Sequence, residues 1–278
     1  MGAPRRRRIG WRPMSTEPPF LSIDQASFAF GDEAPVVDAV DWTIPAGAFH
    51  CLVGRSGSGK TTLLKLAAGL LAPTSGAVRI QGEAVDAPSQ KVGFVFQTPS
   101  LLEWLSVLEN VLLPISLKRS ARPADREAAV ELLKLVGIED HRDRYPRQLS
   151  GGQQSRAALA RALVTQPPAL LMDEPFAALD AITREELQDD LLRLAALRQT
   201  TILFVTHDLA EAVYLGDHVA VMDRGRIPFG AAVDLAKPRS PDIRYDPRFN
   251  ALCQDIRKAM ASQDEMSDGP PVRRGATA

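Results

Sequence analysis

The stretch GAFHCLVGRSGSGKTT, residues 47–62, governs the interpretation of the whole chain. The apolar run from Phe49 to Val53 is typical of a buried strand, and the apolar positions after Lys60 recur at helical spacing. Between them, GRSGSGKT matches the phosphate-binding pattern G-x-x-x-x-G-K-[ST] at every fixed position. This stretch therefore predicts a strand, a glycine-rich loop and a helix that bind the phosphates of a nucleoside triphosphate.

The residue types in the loop suit an anion. Glycine backbones adopt angles that a Cβ forbids, so successive N–H groups can turn towards one phosphate. The following helix adds its positive N-terminal end, Lys60 adds a charge for the β- and γ-phosphates, and the Thr61 hydroxyl suits Mg²⁺. The expected nucleotide contacts are Gly54, Arg55, Ser56, Gly57, Ser58, Gly59, Lys60, Thr61 and Thr62.

The composition is that of an ordinary globular chain of 278 residues, enough for one large domain or two small ones. A net charge of −1 provides no field that would attract nucleic acid, so no nucleic-acid partner is expected. Two cysteines indicate no disulfide framework and fit a reducing cytoplasm. Because no apolar run approaches the roughly 20 residues of a membrane helix, we expect the chain not to span a bilayer by itself.

Strand and helix patterns predict a sheet-based core with a helical insertion. Residues 21–30 and 36–44 should form two strands that pair antiparallel before the phosphate loop. Residues from about 98 to 168 contain helical patterns and no obvious strand, which predicts an inserted helical subdomain. From Ala169 strands and helices alternate again, which implies parallel βαβ units.

Several element ends are also predicted. The helix after the phosphate loop should end near Leu71, and a second helix over 107–118 contains an interrupting proline, Pro114. Beyond about Pro228 the pattern weakens, and one more helix is expected over 249–260.

The two ends of the chain have the composition of disordered segments. Residues 1–20 form a basic, proline-containing arm without the apolar region of a secretory signal, and the tail from about 262 is polar. The expected division is therefore an arm over 1–20, a catalytic core over 21–230 and a C-terminal extension over 231–278.

Three further strand ends carry residues suited to phosphate chemistry. One apolar strand ends in Asp173, placed to hold Mg²⁺, and is followed by Glu174, placed to polarise a water for attack on the γ-phosphate. Another leads to His207, which could reach the γ-phosphate, and Gln97 follows a third. Taken singly, these fit a solvated acidic turn, a surface histidine and a loop amide. Because ligands gather at the carboxyl ends of parallel strands, we expect all of them to meet the phosphate loop.

A second Ser/Gly turn, LSGGQ (149–153), opens another helix. Its free N–H groups and the Ser150 hydroxyl would suit an anion, although the turn could also be a simple helix cap. Two phosphate-binding turns on different subdomains are reconciled most simply by a head-to-tail pair of chains. Each chain would offer the turn Ser150, Gly151, Gly152 and Gln153 to the nucleotide of the other.

The combined motifs carry a family resemblance. GRSGSGKT (54–61), Gln97, LSGGQ (149–153), LLMDEP (170–175), ALD (178–180) and His207 follow in one order. Over about residues 21–230 the sequence resembles the nucleotide-binding subunit of an ATP-binding cassette (ABC) transporter. The resemblance implies an α/β fold with a P-loop NTPase (RecA-like) core, an N-terminal antiparallel β part and an inserted α-helical subdomain. It implies ATP hydrolysis with Mg²⁺ bound by Thr61, Gln97 and Asp173.

The resemblance also assigns interface roles. Phe30 aligns with the aromatic residue that stacks on adenine, with Phe28 as the fallback, and Asp180 belongs to a turn that crosses the dimer interface. Leu101, Leu102 and Trp104 lie where the family receives a helix of its membrane subunit, although such apolar residues could also belong to the subdomain core.

Two segments are similar to importers of nitrate, sulfonates and taurine: the one around Trp104 and the one at 235–239. Asp223–Arg226 and Ser155 depart from that subgroup's pattern. The resemblance implies membrane permease subunits as partners, a periplasmic or extracellular solute-binding protein as an indirect partner, and a peripheral location on the cytoplasmic face of the inner membrane.

Other classes fit less well. A P-loop kinase or GTPase leaves LSGGQ and His207 without a role. A non-transport cassette of translation or DNA repair usually carries two cassettes or a long coiled-coil insertion, and a degenerate ATP-holding module would not retain every hydrolytic motif. An ABC importer for a different small solute remains an alternative.

Overall fold

The computed structural model describes residues 18–265, which form ten strands and seven α-helices. The strands are β1 (Leu21–Phe28), β2 (Val37–Ile44), β3 (Phe49–Val53), β4 (Ser75–Ile80), β5 (Glu83–Ala84), β6 (Val92–Val95), β7 (Ala169–Asp173), β8 (Thr201–Thr206), β9 (His218–Asp223) and β10 (Arg226–Ala232). The helices are α1 (Lys60–Ala67), α2 (Val107–Ser116), α3 (Pro123–Leu135), α4 (Gly151–Leu163), α5 (Ala181–Arg198), α6 (Leu209–Leu215) and α7 (Pro247–Glu265).

The strands build two sheets. An antiparallel sheet has the order β2-β1-β4-β5, and a six-stranded sheet has the order β10-β9-β3-β8-β7-β6. In the larger sheet β9, β3, β8, β7 and β6 run parallel, and β10 pairs antiparallel with β9. The predicted antiparallel part and parallel core are therefore both present.

The central parallel strands β3, β7, β8 and β9 are largely apolar and buried because both of their faces are covered. In β3, Cys51 and Val53 face a core shared with the helical segment, whereas Leu52 faces a second core shared with α1 and the antiparallel sheet. In β8, Phe204 and Val205 divide in the same way. The sheet is thus the middle layer between two hydrophobic cores, and Cys51 is buried as expected.

The segment predicted to be helical carries α2, α3 and α4. Pro114 lies inside α2 without interrupting it. The proline removes one backbone donor, and the helix ends two residues later, at Ser116. Within residues 18–265 we find no helix with the length and apolar character required to cross a membrane.

The structure differs from the sequence prediction at the end of helix α1 and in an additional strand, β10. Helix α1 ends at Ala67 rather than near Leu71, since Gly69 adopts a left-handed φ of 71° and the Leu70 N–H donates to the Lys65 carbonyl at 2.9 Å. Strand β10 was not predicted because it contains Pro228. Proline is tolerated there because β10 is an edge strand with an irregular register.

The C-terminal extension is more ordered than its sequence suggests. Helix α7 continues to Glu265, so residues 262–265, predicted to be disordered, are helical. Its buried residues Phe249 and Ile256 pack into the core beside α6. The remainder of the predicted tail and residues 1–17 of the predicted arm lie outside the described residues. Phe20, which was assigned to the arm, is buried against the antiparallel sheet.

Two neighbouring strands contribute a buried histidine pair. His50 of β3 and His218 of β9 are register partners, and their rings stack with centroids 5.0 Å apart. Burial, followed by the nearby His218, lowers the pKa of His50 to about 3 against a smaller opposing effect of Asp217. Burial lowers the pKa of His218 to about 4. Both rings are therefore neutral in the folded chain near neutral pH.

This pair predicts a loss of stability in mild acid. Above pH 6.5 both rings are neutral in the folded and unfolded states and contribute no pH dependence. Below pH 6.5 the unfolded chain binds protons that the folded chain does not, down to the folded pKa values. The free energy of unfolding should then fall by about 1.4 kcal/mol per pH unit for each histidine. Urea unfolding between pH 7.5 and 5 measures the slope, and His50→Gln/His218→Gln should flatten it. A histidine ring signal of His50 or His218 titrating above pH 6 in the folded chain would contradict the prediction.

Candidate functional site

The ends of three parallel strands lie level at one edge of the larger sheet. Val53 at the end of β3 is the register partner of Thr206 at the end of β8, and Asp173 at the end of β7 is paired with Val205. The glycine-rich loop follows β3, Glu174 follows β7 and His207 follows β8. The register therefore brings the three predicted groups to one place, as expected for ligand sites in open parallel sheets.

Two glycines of the loop are required by close backbone contacts. A Cβ on Gly54 would lie 2.3 Å from the Met222 carbonyl oxygen, and one on Gly59 would lie 2.4 Å from the Val36 carbonyl oxygen. Gly59 also caps α1 with a φ of 104°, which disfavours any residue with a side chain. The loop is thus seated between β9 and the antiparallel sheet, with the start of α1 directly behind it.

Lys60 is buried at the base of the loop. Its ammonium donates to the carbonyl oxygens of Gly54 and Arg55 at 2.9 and 2.8 Å. Burial lowers the Lys60 pKa, and the carboxylates of Glu174 and Asp173 oppose that shift. The side chain therefore places one positive charge between the loop and the two acids.

Thr61 and Asp173 form a pair of hard oxygen donors. The Thr61 hydroxyl donates to Asp173 Oδ1 at 3.0 Å. Asp173 is buried, and burial is the main reason that its pKa is raised, against lowering by the Thr61 hydrogen bond. Residues 18–265 contain no cluster of three or more His, Cys, Asp or Glu side chains suited to a metal. The pair fits Mg²⁺ instead, which takes few protein ligands and shares its coordination with phosphates and water.

Glu174 and His207 are in direct contact. His207 Nδ1 lies 2.9 Å from Glu174 Oε2, while the Glu174 N–H donates to the Val205 carbonyl at 2.9 Å. Glu174 has a φ of 43°, which is uncommon for a residue with a side chain and is often associated with functional sites. Its carboxylate is mostly covered, whereas the His207 side chain is 64% exposed. The pair can hold a water at the edge of the phosphate loop.

Gln97 and Phe30 lie at the margins of the site. Strand β6 pairs with β7, so Gln97, two residues after β6, is exposed beside the strand that carries Asp173.

The Phe30 ring is 52% exposed and meets the Phe28 ring edge-on, with centroids 4.9 Å apart. Because Phe28 is buried, only Phe30 of these two can offer a ring face to a base.

Ser150 caps α4 in a reciprocal arrangement. Its hydroxyl accepts from the Gln153 N–H at 3.3 Å, and its own N–H donates to Gln153 Oε1 at 3.0 Å. The hydroxyl proton can still be donated to an external acceptor, and Gly151 is exposed beside it. A Cβ on Gly152 would lie 2.5 Å from Thr183 Cγ2, so glycine allows a close approach to α5. The turn is therefore both a helix cap and a possible anion site.

Asp180 caps α5 at its N-terminus. Its carboxylate accepts from the Thr183 N–H at 3.0 Å, and this backbone hydrogen bond is the main cause of its lowered pKa. Asp180 is exposed, as is its neighbour Ile182, so this turn is available to another chain.

His141 was not identified from the sequence. Its Nε2 lies 3.0 Å from Gln153 Nε2. Because Gln153 Oε1 accepts from Ser150, the amide nitrogen donates here, and His141 Nε2 is the acceptor. The sequence carries no signal for this contact, since twelve residues and a turn separate the two side chains.

The segment after Gln97 is held from beneath by Asn110, a second residue that sequence reasoning missed. Buried Asn110 accepts from the Leu102 N–H at 2.7 Å and donates to the carbonyls of Leu102, Leu105 and Ser106 at 3.0 Å. Leu101 is half-buried against the core, whereas Trp104 is 72% exposed. Of the three predicted interface residues, Trp104 offers the largest apolar surface.

Comparisons with known proteins agree on one family. The sequence model described as ABC transporter matches residues 37–177. An aliphatic sulfonates import ATP-binding protein, SsuB 1 of Nocardia farcinica, is 46% identical over 86% of this chain and 94% of its own length. The SsuB protein of Bacillus subtilis, with the same description, is 41% identical over 85% of this chain and 91% of its own length.

Solved structures show the same similarity. The ATP-binding cassette MJ0796, in a dimeric post-hydrolysis state bound to ADP and Pi, superposes with a TM-score of 0.70 at 32% identity. It covers 78% of this chain, and all of that chain is matched. The protein cbiO1 of Clostridium perfringens, described as part of the ABC transporter complex cbiONQ, superposes with a TM-score of 0.72 at 25% identity and covers 89% of this chain.

Proposed function

Because the chain belongs to the ABC transporter family and is an ATP-binding, ATP-hydrolysing cassette, we propose that it energises an importer of small solutes through separate membrane subunits. The observation that supports ATP hydrolysis is the shared sheet edge, where the phosphate loop, the Thr61–Asp173 pair and the Glu174–His207 pair lie together. Phosphate binding, metal binding and activation of water therefore belong to one site. Import is supported by the similarity to proteins described as sulfonate import ATP-binding proteins.

In the proposed mechanism, Lys60 and the loop N–H groups bind the β- and γ-phosphates, and Phe30 stacks on the adenine. Thr61, Gln97 and Asp173 would hold Mg²⁺, whose donor set of hydroxyl, amide and carboxylate oxygens suits this ion. When bound, the ion neutralises phosphate charge. The buried Lys60 ammonium would also offset phosphate charge.

Glu174 is proposed to orient the attacking water and accept its proton. The water oxygen forms a bond to the γ-phosphorus, the bond to the β,γ-bridging oxygen breaks, and ADP and phosphate leave. His207 positions the Glu174 carboxylate through their 2.9 Å contact, and its other ring nitrogen donates to the γ-phosphate only when the ring carries both protons. The strained backbone of Glu174 keeps its carboxylate directed at this place.

Glu174→Gln tests the catalytic role. We expect ATP affinity to be retained and turnover to fall about 100- to 10,000-fold, because the amide cannot accept the proton. Nucleotide titration and single-turnover ATPase assays measure the two quantities. Glu185→Gln, at an exposed position of α5, is the matched control and should keep wild-type turnover. Near-wild-type turnover of Glu174→Gln would remove this residue from the proposed mechanism.

We propose that the working unit is a head-to-tail dimer. The helical subdomain, residues 98–168, would present Ser150, Gly151, Gly152 and Gln153 to the nucleotide of the second chain, and Asp180 would lie across the interface. Support comes from the unshared Ser150 hydroxyl proton, the exposed turn at Asp180 and the dimeric state described for the cassette MJ0796.

Ser150→Asp in a Glu174→Gln background tests this arrangement. Aspartate is a good helix cap, so α4 should persist, but its charge would repel a phosphate supplied by the partner chain. With ATP and Mg²⁺, we expect Glu174→Gln alone to double in mass by light scattering and the double variant to bind ATP as a monomer. Ser120→Asp, exposed in the same subdomain, is the control and should dimerise. A loss of ATP binding by the monomeric Ser150→Asp chain would instead place Ser150 at its own nucleotide.

The proposed location of the chain is the cytoplasmic face of the inner membrane, where it would bind integral permease subunits and, through them, serve a periplasmic or extracellular solute-binding protein. Support comes from exposed Trp104 on a segment stiffened by Asn110, together with the Leu101 and Leu102 side chains that flank it. The relatives described as sulfonate import proteins make a sulfonate, or the related solutes nitrate and taurine, the proposed cargo class.

Trp104→Ala tests the membrane contact. In proteoliposomes that contain the permease subunits and solute-binding protein of the same organism's sulfonate importer, we expect an alkanesulfonate to stimulate the wild-type ATPase. The variant should lose that stimulation, because the apolar contact surface is removed. Leu117→Ala, also strongly exposed in the helical subdomain, should respond as wild type does. Circular dichroism verifies that both variants are folded. Full stimulation of Trp104→Ala would place the permease contact elsewhere, and stimulation by nitrate or taurine alone would change the cargo.

A further inference from the structure

A line of hydrogen bonds, buried at its inner end and partly buried at Arg244, joins the C-terminal extension to the strand end beside His207. Arg244, in a short 3-10 helix over Pro241–Tyr245, donates to Gln188 Oε1 at 2.6 Å. Gln188 donates from Nε2 to Glu211 Oε1 at 3.1 Å, and the Thr206 hydroxyl donates to Glu211 Oε2. Four side chains from the extension, α5, α6 and β8 are thus connected in sequence.

The hydrogen bonds of the line converge on the Glu211 carboxylate, which accepts from Gln188 on one side and from Thr206 on the other. Gln188, Glu211 and Thr206 are each less than one-tenth exposed, so an unpaired polar atom on any of them would carry a substantial cost. The Gln188 amide satisfies both neighbours only with its oxygen towards Arg244 and its nitrogen towards Glu211. Burial raises the Glu211 pKa, and the hydrogen bonds from Thr206 and Gln188 oppose that shift. Removing a donor at one end therefore affects the whole line.

The inner end of the line sets the turn that contains His207. The Thr206 hydroxyl also accepts from the Asp208 N–H at 3.0 Å. The Asp208 carboxylate in turn accepts from the N–H groups of Ala210 and Glu211, at 2.8 and 3.2 Å, and so caps α6. Both neighbours of His207 are fixed in this way, although the His207 ring itself is exposed towards the nucleotide edge.

The outer end of the line joins two helices. The Arg244 guanidinium lies over the Tyr214 ring of α6, 3.6 Å from its centroid, and the Tyr214 hydroxyl donates to Asp189 of α5 at 2.5 Å. The Arg244 guanidinium therefore contacts α6 by stacking on Tyr214 and contacts α5 through its hydrogen bond to Gln188, which neighbours Asp189. Helix α5 begins at the exposed turn capped by Asp180. Arg244 lies beyond residues 37–177 that the family model matches.

We propose that Arg244 is a positioning residue for His207, acting through Gln188, Glu211 and Thr206, so that the C-terminal extension controls the rate of ATP hydrolysis. The inference rests on the proposed role of His207 in that reaction. Arg244 does not touch the nucleotide, and its effect is transmitted by the orientation of the turn at 206–208.

Arg244→Met tests the proposal in the full-length chain, because methionine keeps much of the side-chain length but has no donor. We expect kcat for ATP hydrolysis to fall about tenfold with KM nearly unchanged, since a small displacement of a positioned group slows chemistry more than binding. Arg244→Lys, which can still donate to Gln188, should recover most of the loss. Arg248→Met, on an exposed arginine paired with Asp234 in the same extension, should behave as wild type.

The histidine ring signals separate positioning from a general loss of stability. The chain has four histidines, and His207→Gln identifies the His207 signal in labelled protein. The proposal expects Arg244→Met to move the His207 ring signal, while Arg248→Met leaves it unchanged. A lowered melting temperature with an unmoved His207 signal and wild-type kcat would overturn it.

A double-variant comparison separates this proposal from the proposed function. If Arg244 acts through His207, adding Arg244→Met to His207→Gln should cause little further loss of kcat. An additive tenfold loss would overturn the proposal. Wild-type turnover of His207→Gln alone would instead refute the role of His207, and the movement of its ring signal in Arg244→Met would still report the structural link.

Discussion

Parallel hydrogen bonding among β3, β7 and β8 is the constraint on which the site depends. The register places Val53, Asp173 and Thr206 at a common edge, so each following residue begins at nearly the same height above the sheet. Both faces of these strands are buried, and a one-residue slip would exchange the side chains of the two cores. Packing therefore holds the register, and the register holds the functional groups together.

This sheet edge holds two buried charged side chains, Lys60 and Asp173, whose burial without partners would be energetically unfavourable. Lys60 and Asp173 are both largely buried. Burial lowers the pKa of Lys60 and raises the pKa of Asp173, so it favours the neutral form of each side chain. Each is supported by nearby partners: loop carbonyls for Lys60, and the Thr61 hydroxyl for Asp173. Phosphates would pair with the Lys60 ammonium and a divalent ion with the Asp173 carboxylate, which explains why a strongly charged ligand suits this site.

Mechanical connections extend from this edge in two directions. In the helical subdomain, the hydrogen bonds of Asn110 with the Leu102 backbone hold the segment that exposes Trp104. A second set of hydrogen bonds runs from Thr206 through Glu211 and Gln188 to Arg244 in the extension. A cassette that converts hydrolysis into movement needs such rigid links, because small shifts at the nucleotide are transmitted only by packed or hydrogen-bonded elements.

Local patterns in the sequence were sufficient to predict the glycine-rich loop and the family, because the chemistry of a phosphate site restricts residue types over a few consecutive positions. Hydrophobic periodicity was sufficient to predict the apolar strands and the helical segment. They did not reveal strand β10, where the edge position accommodates Pro228, or the order of α7 as far as Glu265. The contacts of Gln153 with His141 and of Arg244 with Gln188 were equally hidden. These join residues far apart in the chain, so only tertiary packing decides which donor meets which acceptor. The sequence by itself thus determined the type of chemistry at residues 54–62, while the tertiary structure decided which distant side chains hold it in place.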